Sequence, residues 1–264
     1  MTQPLPSPAD LRAACTDLAR DAAREIMRIY AGDLGVRDKP DKSPVTDADH
    51  AAEAIIVAGL RRLTPDTPIV AEEEMAAGRV PVIGDGPFWL VDPLDGTKEF
   101  IKRNGEFTVN IALIEDGRPT LGIVLAPASD TLWRGVASLG ADKCEKGGGF
   151  AAITVRTPPD DGLTCCASRS HAVYSDLNIW FRREGLTVTD RIQAGSSLKF
   201  CLIAEGKADI YPRFGPTNEW DTAAGQGVLE AAGGEVVTTD GRPLGYGKPK
   251  FSNPHFIARS KAFR

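Results

Sequence analysis

Apolar residues recur at Leu11, Cys15, Leu18, Ala22, Ile26 and Ile29, a spacing that predicts one buried face of a helix. Ser7-Pro8-Ala9-Asp10 supplies its start, with Ser as cap and Pro at the first helical position, and Gly32 supplies its stop. Lys39-Pro40-Asp41-Lys42-Ser43-Pro44-Val45 is too charged and Pro-rich for regular structure. A second helix starts at the Thr46 cap, with Asp49 three residues on and Ile55, Ile56 and Leu60 buried. The pattern then shortens to apolar runs of strand length. Ile69-Val70-Ala71 leads into Glu72-Glu73-Glu74, and residues 88–91 form a buried strand after a Gly- and Pro-rich loop at 76–87. Runs at 107–114, 121–125 and 131–137 predict an antiparallel meander, its first turn at 115–118.

Gly147-Gly148-Gly149 lacks the Lys-Ser/Thr of a phosphate loop and reads as a link between halves spanning 1–146 and 150–264 of a single unit. Beyond it come strands at 152–155 and 163–167, helical spacing over 173–183 and a strand at 186–189. Gly195-Ser196-Ser197-Leu198-Lys199 opens a helix; as a site it reads equally as an anion cradle or an ordinary cap. A strand at 209–211 precedes a helix over 219–232 that Gly233-Gly234 stops, and strands at 235–239 and 256–258 end the pattern.

Composition changes this picture little. At 264 residues, 42% hydrophobic and 25% charged, the chain is an ordinary globular protein able to bury a full core. The net charge of −5 argues against a nucleic-acid polymer or an anionic membrane as partner, and no apolar run reaches the length of a membrane span. The N-terminal residues lack a secretory signal, and five cysteines without metal-ligand spacing read as buried free thiols. The expectation is a cytoplasmic protein, free or held peripherally at the cytoplasmic face of the inner membrane.

The chemistry concentrates in Val91-Asp92-Pro93-Leu94-Asp95-Gly96-Thr97. A buried strand that delivers two carboxylates into one turn sets like charges against each other, and a hard divalent cation removes the conflict. Pro93 fixes φ and Gly96 admits φ > 0, so the turn can aim both carboxylates and the Leu94 carbonyl at one point. Thr97 then sits where a helix can start, beside N–H groups suited to phosphate. Other acids lie at strand ends or helix starts: Asp49, Glu72 and Asp221. Taken singly, Asp49 and Asp221 also read as first-turn acids that complement a helix dipole, and the glutamates as a solvated charge run. A carboxylate-only set fits magnesium and phosphoryl chemistry, whereas zinc lacks its Cys-His spacing and a serine hydrolase lacks its Gly-x-Ser-x-Gly elbow. The simplest mechanism is in-line attack of metal-activated water on a phosphate ester.

Together, Val91-Asp92-Pro93-Leu94-Asp95-Gly96-Thr97 and Glu219-Trp220-Asp221-Thr222-Ala223-Ala224 resemble the two signatures of the inositol monophosphatase superfamily. Thr97-Lys98-Glu99-Phe100-Ile101, Gly195-Ser196-Ser197-Leu198-Lys199-Phe200 and Tyr211-Pro212-Arg213-Phe214-Gly215-Pro216-Thr217 are similar to its bacterial 3′(2′),5′-bisphosphate nucleotidase branch. The resemblance implies a layered αβαβα sandwich of the α+β class. It also implies hydrolysis of 3′-phosphoadenosine 5′-phosphate to AMP and phosphate, two to three Mg²⁺ ions and inhibition by lithium. Its alternative is the same fold acting on inositol 1-phosphate or another small phosphomonoester. By the same resemblance Glu72, Asp92 and the Leu94 carbonyl hold one ion, and Asp92, Asp95 and Asp221 a second. Thr97 orients the attacking water with Glu72 or Asp49, and Glu72 and Asp49 serve a weaker third ion. Gly96 and Thr97 hold the scissile phosphate, and Ser168, His171, Gly195 and Lys199 contact the nucleotide. Relatives commonly show Gly or Ser before two glutamates, so the ligand is placed at Glu72, with Glu73 as the alternative. The implied assembly is a monomer or homodimer.

Overall fold

The computed structural model describes residues 4–39, 42–168 and 174–261. Two long helices open it, α1 (Pro8–Tyr30) and α2 (Asp47–Leu63). The Ser7 hydroxyl accepts the Asp10 N–H, and Thr46 and Asp49 form a reciprocal capping box, so the sequence signals at both starts hold. Between the helices lies a short hairpin, β1 (Arg37–Asp38) with β2 (Pro44–Val45), where the sequence predicted irregular chain.

A seven-stranded sheet follows in chain order: β3 (Ile69–Ala71), β4 (Phe88–Asp95), β5 (Thr108–Glu115), β6 (Arg118–Ala126), β7 (Thr131–Val136), β8 (Gly140–Glu145) and β9 (Ala151–Ile153). β3 pairs parallel with β4 and every later pair is antiparallel. β9 follows the glycine link yet closes the edge of this first sheet. The second sheet has the order β11 (Val188–Gln193), β10 (Leu163–Ala167), β12 (Ile210–Arg213), β14 (Phe256–Ser260), β13 (Gly234–Thr238). Short helices α3 (Glu72–Ala76) and α4 (Thr97–Ile101) flank β4, and α5 (Tyr174–Arg183), α6 (Leu198–Ala204) and α7 (Ala223–Ala231) belong to the second half.

The period-two pattern of the strands sorts their side chains into separate cores. Trp89 and Val91 of β4, with Val109, Ile111 and Leu113 of β5, pack under α1 and α2. Phe88, Leu90, Ala112 and Ile114 face the other way, against α6, α7 and the inner face of the second sheet. Cys165, Ile210, Val237 and Ile257 form that sheet's outer face, where Leu177 and Phe181 of α5 cover them. The layers are therefore α, β, α, β, α, as expected. α7 lies unusually close on β6: a Cβ on Gly122 would stand 2.2 Å from the Ala224 carbonyl oxygen. All five cysteines are buried free thiols.

Three local expectations are corrected. The strand predicted at 88–91 continues through Asp95, because the Asp92–Asp95 segment still pairs with β5 across a register shift. Glu72-Glu73-Glu74 stands at the end of β3 as expected, but it is the first turn of α3 rather than a solvated run, with Glu73 only 4% exposed. The helix predicted from 219 begins at Ala223, because the Glu219 carboxylate is taken by the Gly247 and Lys248 N–H groups and holds residues 217–222 in a turn.

Candidate active site

β3 and β4 run side by side with Ala71 opposite Val91, so their carboxyl ends place Glu72 beside Asp92. Residues three apart on a regular strand face opposite ways. Here the three steps from Asp92 to Asp95 oppose only two on β5, from Asn110 to Thr108. That one-residue bulge turns both carboxylates to one side. Gly96 follows in the left-handed region at φ 96°, which lets the chain reverse into α4 with Thr97 as its first residue.

α2 brings Asp49 in from above. Its Oδ2 accepts the Thr46 N–H at 2.7 Å and the Thr46 hydroxyl at 2.6 Å, while its Oδ1 accepts the Thr97 hydroxyl at 3.1 Å. α7, pressed onto β6, delivers Asp221 in the turn that precedes it. Asp221 Oδ2 accepts the Asn218 N–H at 2.8 Å, and its carbonyl oxygen accepts the Ser197 hydroxyl at 2.9 Å. Asp92 is pinned within its own turn by the Leu94 N–H, 3.0 Å from Oδ1.

Electrostatics confirms that these acids share one environment. Burial pushes the Asp92 carboxyl well above the ordinary range, and the charges of Glu72, Asp95 and Asp221 push it further. Asp221 is raised well above the ordinary range by burial and then by Asp95. Asp95 is raised to about 6 by burial, against which Lys199 and hydrogen bonds from Asn110 and Ser197 work. Burial also raises Asp49, with the Thr46 bonds opposing.

Among the described residues no three acidic, histidine or cysteine side chains close into a ready-made coordination sphere. The donor set nevertheless fits a hard divalent cation: Asp92, Asp95 and Asp221 are buried together, and the negative charges around them, Glu72 included, raise the proton affinity of all three. A cation already answers part of this demand. Lys39 extends from its hairpin to place Nζ 2.7 Å from Glu72 Oε1 and 2.6 Å from Glu73 Oε1. Glu72 and Glu73 are also distinguished: Glu72 faces Asp92, whereas the Glu73 N–H bonds Glu53 Oε2 at 2.7 Å and its carboxylate turns toward Lys39 and Glu53.

Beside the acids lies a cavity of about 140 Å³. Asp95, Gly96, Ser168, Gly195, Lys199 and Asp221, all singled out from the sequence, line it. The Gly195 N–H is held by Glu106 Oε2 at 2.9 Å. Lys199 is 5% exposed, and its Nζ already donates to the Ser196 carbonyl at 2.6 Å and the Ala194 carbonyl at 3.2 Å. Burial lowers its pKa to about 8 against the pull of Asp95. Its third donor has no acceptor among the described residues. His171 lies outside the described residues.

Sequence reasoning missed two cations of the site. Arg213 lines the cavity from the end of β12, with Nη2 on the Pro216 carbonyl at 3.1 Å and Nε buried without a hydrogen-bond partner among the described residues. Its signal was present only as part of the Tyr211-Pro212-Arg213 match. Lys39 had none, because its approach to Glu72 is made across the fold.

Clustered acids, a threonine–aspartate pair and a cavity lined by two cations are the groups that phosphomonoester chemistry calls for. Residues 8–261 match the inositol monophosphatase family, and the chain belongs to it. It is 50% identical over 244 residues to the 3′(2′),5′-bisphosphate nucleotidase CysQ of Escherichia coli, covering 90% of this chain and 95% of that one. Among solved structures it resembles CysQ from Bacteroides thetaiotaomicron, with 39% identity, a TM-score of 0.80 and coverage of 96% and 97%. An inositol monophosphatase from Anabaena is similar at 27% identity and TM-score 0.76, covering 96% of this chain and 92% of that one.

Proposed function

We propose that the chain is a Mg²⁺-dependent 3′(2′),5′-bisphosphate nucleotidase that hydrolyses 3′-phosphoadenosine 5′-phosphate to AMP and phosphate. Half-identity to bisphosphate nucleotidases along nearly the full length carries the reading, and the cavity supports it. A substrate with two phosphates needs positive charge beyond the reacting centre, and Lys199 and Arg213 line the cavity together with Asp95 and Asp221.

In this reading Glu72, Asp92 and the Leu94 carbonyl hold one Mg²⁺, Asp92, Asp95 and Asp221 a second, and Glu72 with Asp49 a weaker third. Bound there, Mg²⁺ supplies an acidified water and neutralises charge on the phosphoryl oxygens. The protein's own part begins at Thr97. Its hydroxyl hydrogen is committed to Asp49, so its free lone pair faces outward as an acceptor that orients the attacking water. The proton can then pass through Thr97 to Asp49, whose Oδ1 already accepts the Thr97 hydroxyl hydrogen. Gly96 and Thr97 hold the scissile phosphate, and Asp221 orients the water that protonates the leaving oxygen. Ser168, His171, Gly195 and Lys199 contact the nucleotide, Lys199 through its remaining donor. The halves 1–146 and 150–264 divide this labour, metal ligands chiefly in the first and nucleotide contacts in the second. A cytoplasmic location fits the buried free thiols.

The test is phosphate release from 3′-phosphoadenosine 5′-phosphate with Mg²⁺, beside inositol 1-phosphate. A higher kcat/KM on the nucleotide is expected. A dominant rate on inositol 1-phosphate, or equal release by an Asp92→Asn variant, overturns the reading.

A further inference from the structure

Asn110 stands on β5 directly opposite Asp92 and is 1% exposed. A buried asparagine must place two donors and an acceptor. Its Nδ2 is 3.0 Å from the Ser197 hydroxyl and 3.4 Å from Asp95 Oδ2. An ionised carboxylate only accepts, so the amide nitrogen must face Asp95. The Ser197 hydroxyl, having accepted from Asn110, gives its own hydrogen to the Asp221 carbonyl oxygen at 2.9 Å. The same hydroxyl also stands beside Asp95 and helps stabilise its carboxylate, so Asn110 and Ser197 together bridge Asp95 to the Asp221 turn. Asn110 Oδ1 is left buried without a partner among the described residues. An orphaned acceptor is tolerated where the same group's donors are required.

The path crosses the molecule. Asp95 and Asn110 belong to the first sheet, Ser197 precedes α6 and Asp221 precedes α7. No backbone ladder joins Asp95, on β4, to Asp221, which lies in a turn outside both sheets. Two carboxylates that repel each other need a neutral, rigid spacer. An amide serves, whereas an aspartate at 110 would add a charge and a leucine would leave Ser197 without its donor.

We infer that Asn110 and Ser197 are positioning residues that fix the Asp95 carboxylate against the Asp221 turn and so set the geometry of the cation position those two acids share. The inference rests on the metal-ligand reading of Asp95 and Asp221. Groups that orient ligands typically cost 10–100-fold in metal affinity when removed.

The experiment is calorimetric titration of Mg²⁺ into metal-free parent, Asn110→Leu and Ser197→Ala, with thermal unfolding of each metal-free protein alongside. Ser197→Ala deletes one atom, so it keeps the test open if Asn110→Leu fails to fold. Mg²⁺ affinity is expected to fall about tenfold in each variant. The double variant should be little worse than the weaker single one, because both cut the same path. KM for the nucleotide at saturating Mg²⁺ should stay near the parent value. A packing role alone would lower the metal-free melting temperature and leave Mg²⁺ affinity unchanged. Folded variants that bind Mg²⁺ within twofold of the parent overturn the inference alone. A parent that takes up no Mg²⁺ overturns the metal reading and this inference with it.

Discussion

Gly96 offers a sharp test of how the catalytic turn is built, through Gly96→Ala. The residue lies at φ 96° and ψ 43°, where a side chain costs about 1–2 kcal/mol. A Cβ there would also stand 2.3 Å from Ser196 Oγ and 3.1 Å from the Glu106 carbonyl oxygen. Ser196 Oγ cannot withdraw freely, since it lies 2.7 Å from the Asp95 carbonyl oxygen and 2.8 Å from that of Glu106. Displacing it forfeits one hydrogen bond, about 1 kcal/mol. Against this, alanine stiffens the unfolded chain and returns about 0.4–1 kcal/mol. The net loss is about 2 kcal/mol, with kcat/KM reduced because Asp95 and Thr97 flank the position. In a Ser196→Ala background the 2.3 Å clash is gone and the φ strain remains, with the milder approach to the Glu106 carbonyl oxygen, about 1 kcal/mol. Urea unfolding of the four proteins, with equal m-values as the check on two-state behaviour, measures the difference. Equal losses in both backgrounds would refute the clash, and a Gly96→Ala stability within 0.5 kcal/mol of the parent would refute the strain as well.

Further outcomes follow from the same geometry. Thr97→Val keeps the shape but loses the hydroxyl on Asp49, and kcat should fall about 10²–10⁴-fold with calorimetric Mg²⁺ uptake retained; near-parent turnover would remove Thr97 from the water-orienting role. Asp92→Asn should abolish turnover yet raise the metal-free melting temperature at pH 8, because one of several crowded charges is deleted; a lower melting temperature contradicts the crowding. Asp95 sits at about 6 and Glu53 and Glu73 at about 7, all above their unfolded values near 4, so the native state binds more protons than the unfolded chain in between. Metal-free stability should therefore fall as pH rises from about 4 to 7, and the melting shift given by Mg²⁺ should grow over that window; a metal-free melting temperature that climbs from pH 5 to 7 would reverse the sign. Arg213→Met should raise KM for the bisphosphate by about tenfold and barely change a monophosphate control; equal effects on both would place Arg213 outside the second-phosphate contact.

What could be read in advance divides by range. The Ser7 cap, the Thr46 capping box and the alternation of β4 and β5 are local, and the sequence carries them in full. Gly140–Glu145 escaped notice because its two buried residues, Ala141 and Cys144, are three apart and follow no strand period; pairing with β7 makes it β8. Asp-x-x-Asp-Gly announced a cation without the bulge that aims it, since a bulge exists only relative to the partner strand. The meeting of Asp221 with Asp95 depends on how closely α7 can settle on β6, and the glycines that allow it look like ordinary helix and strand interruptions in one dimension. Lys39 reaches the site across 33 residues, Asn110 across 15 to Asp95 and 87 to Ser197, and Arg213 through cavity shape alone, which no spacing rule reaches.

The cysteines give this layered architecture a use in the laboratory. Cys15 lies under the outer helices, Cys166 and Cys201 in the central core, and Cys165 on the far face of the second sheet. Burial pushes Cys15, Cys165 and Cys166 up to about 12 and Cys201 well above its ordinary value, so none offers a thiolate to an alkylating reagent while its layer is closed. Pulse alkylation read by mass spectrometry would thus time the opening of each layer separately. Residues 165 and 166, neighbours in the chain, would act as independent clocks for opposite faces of one sheet.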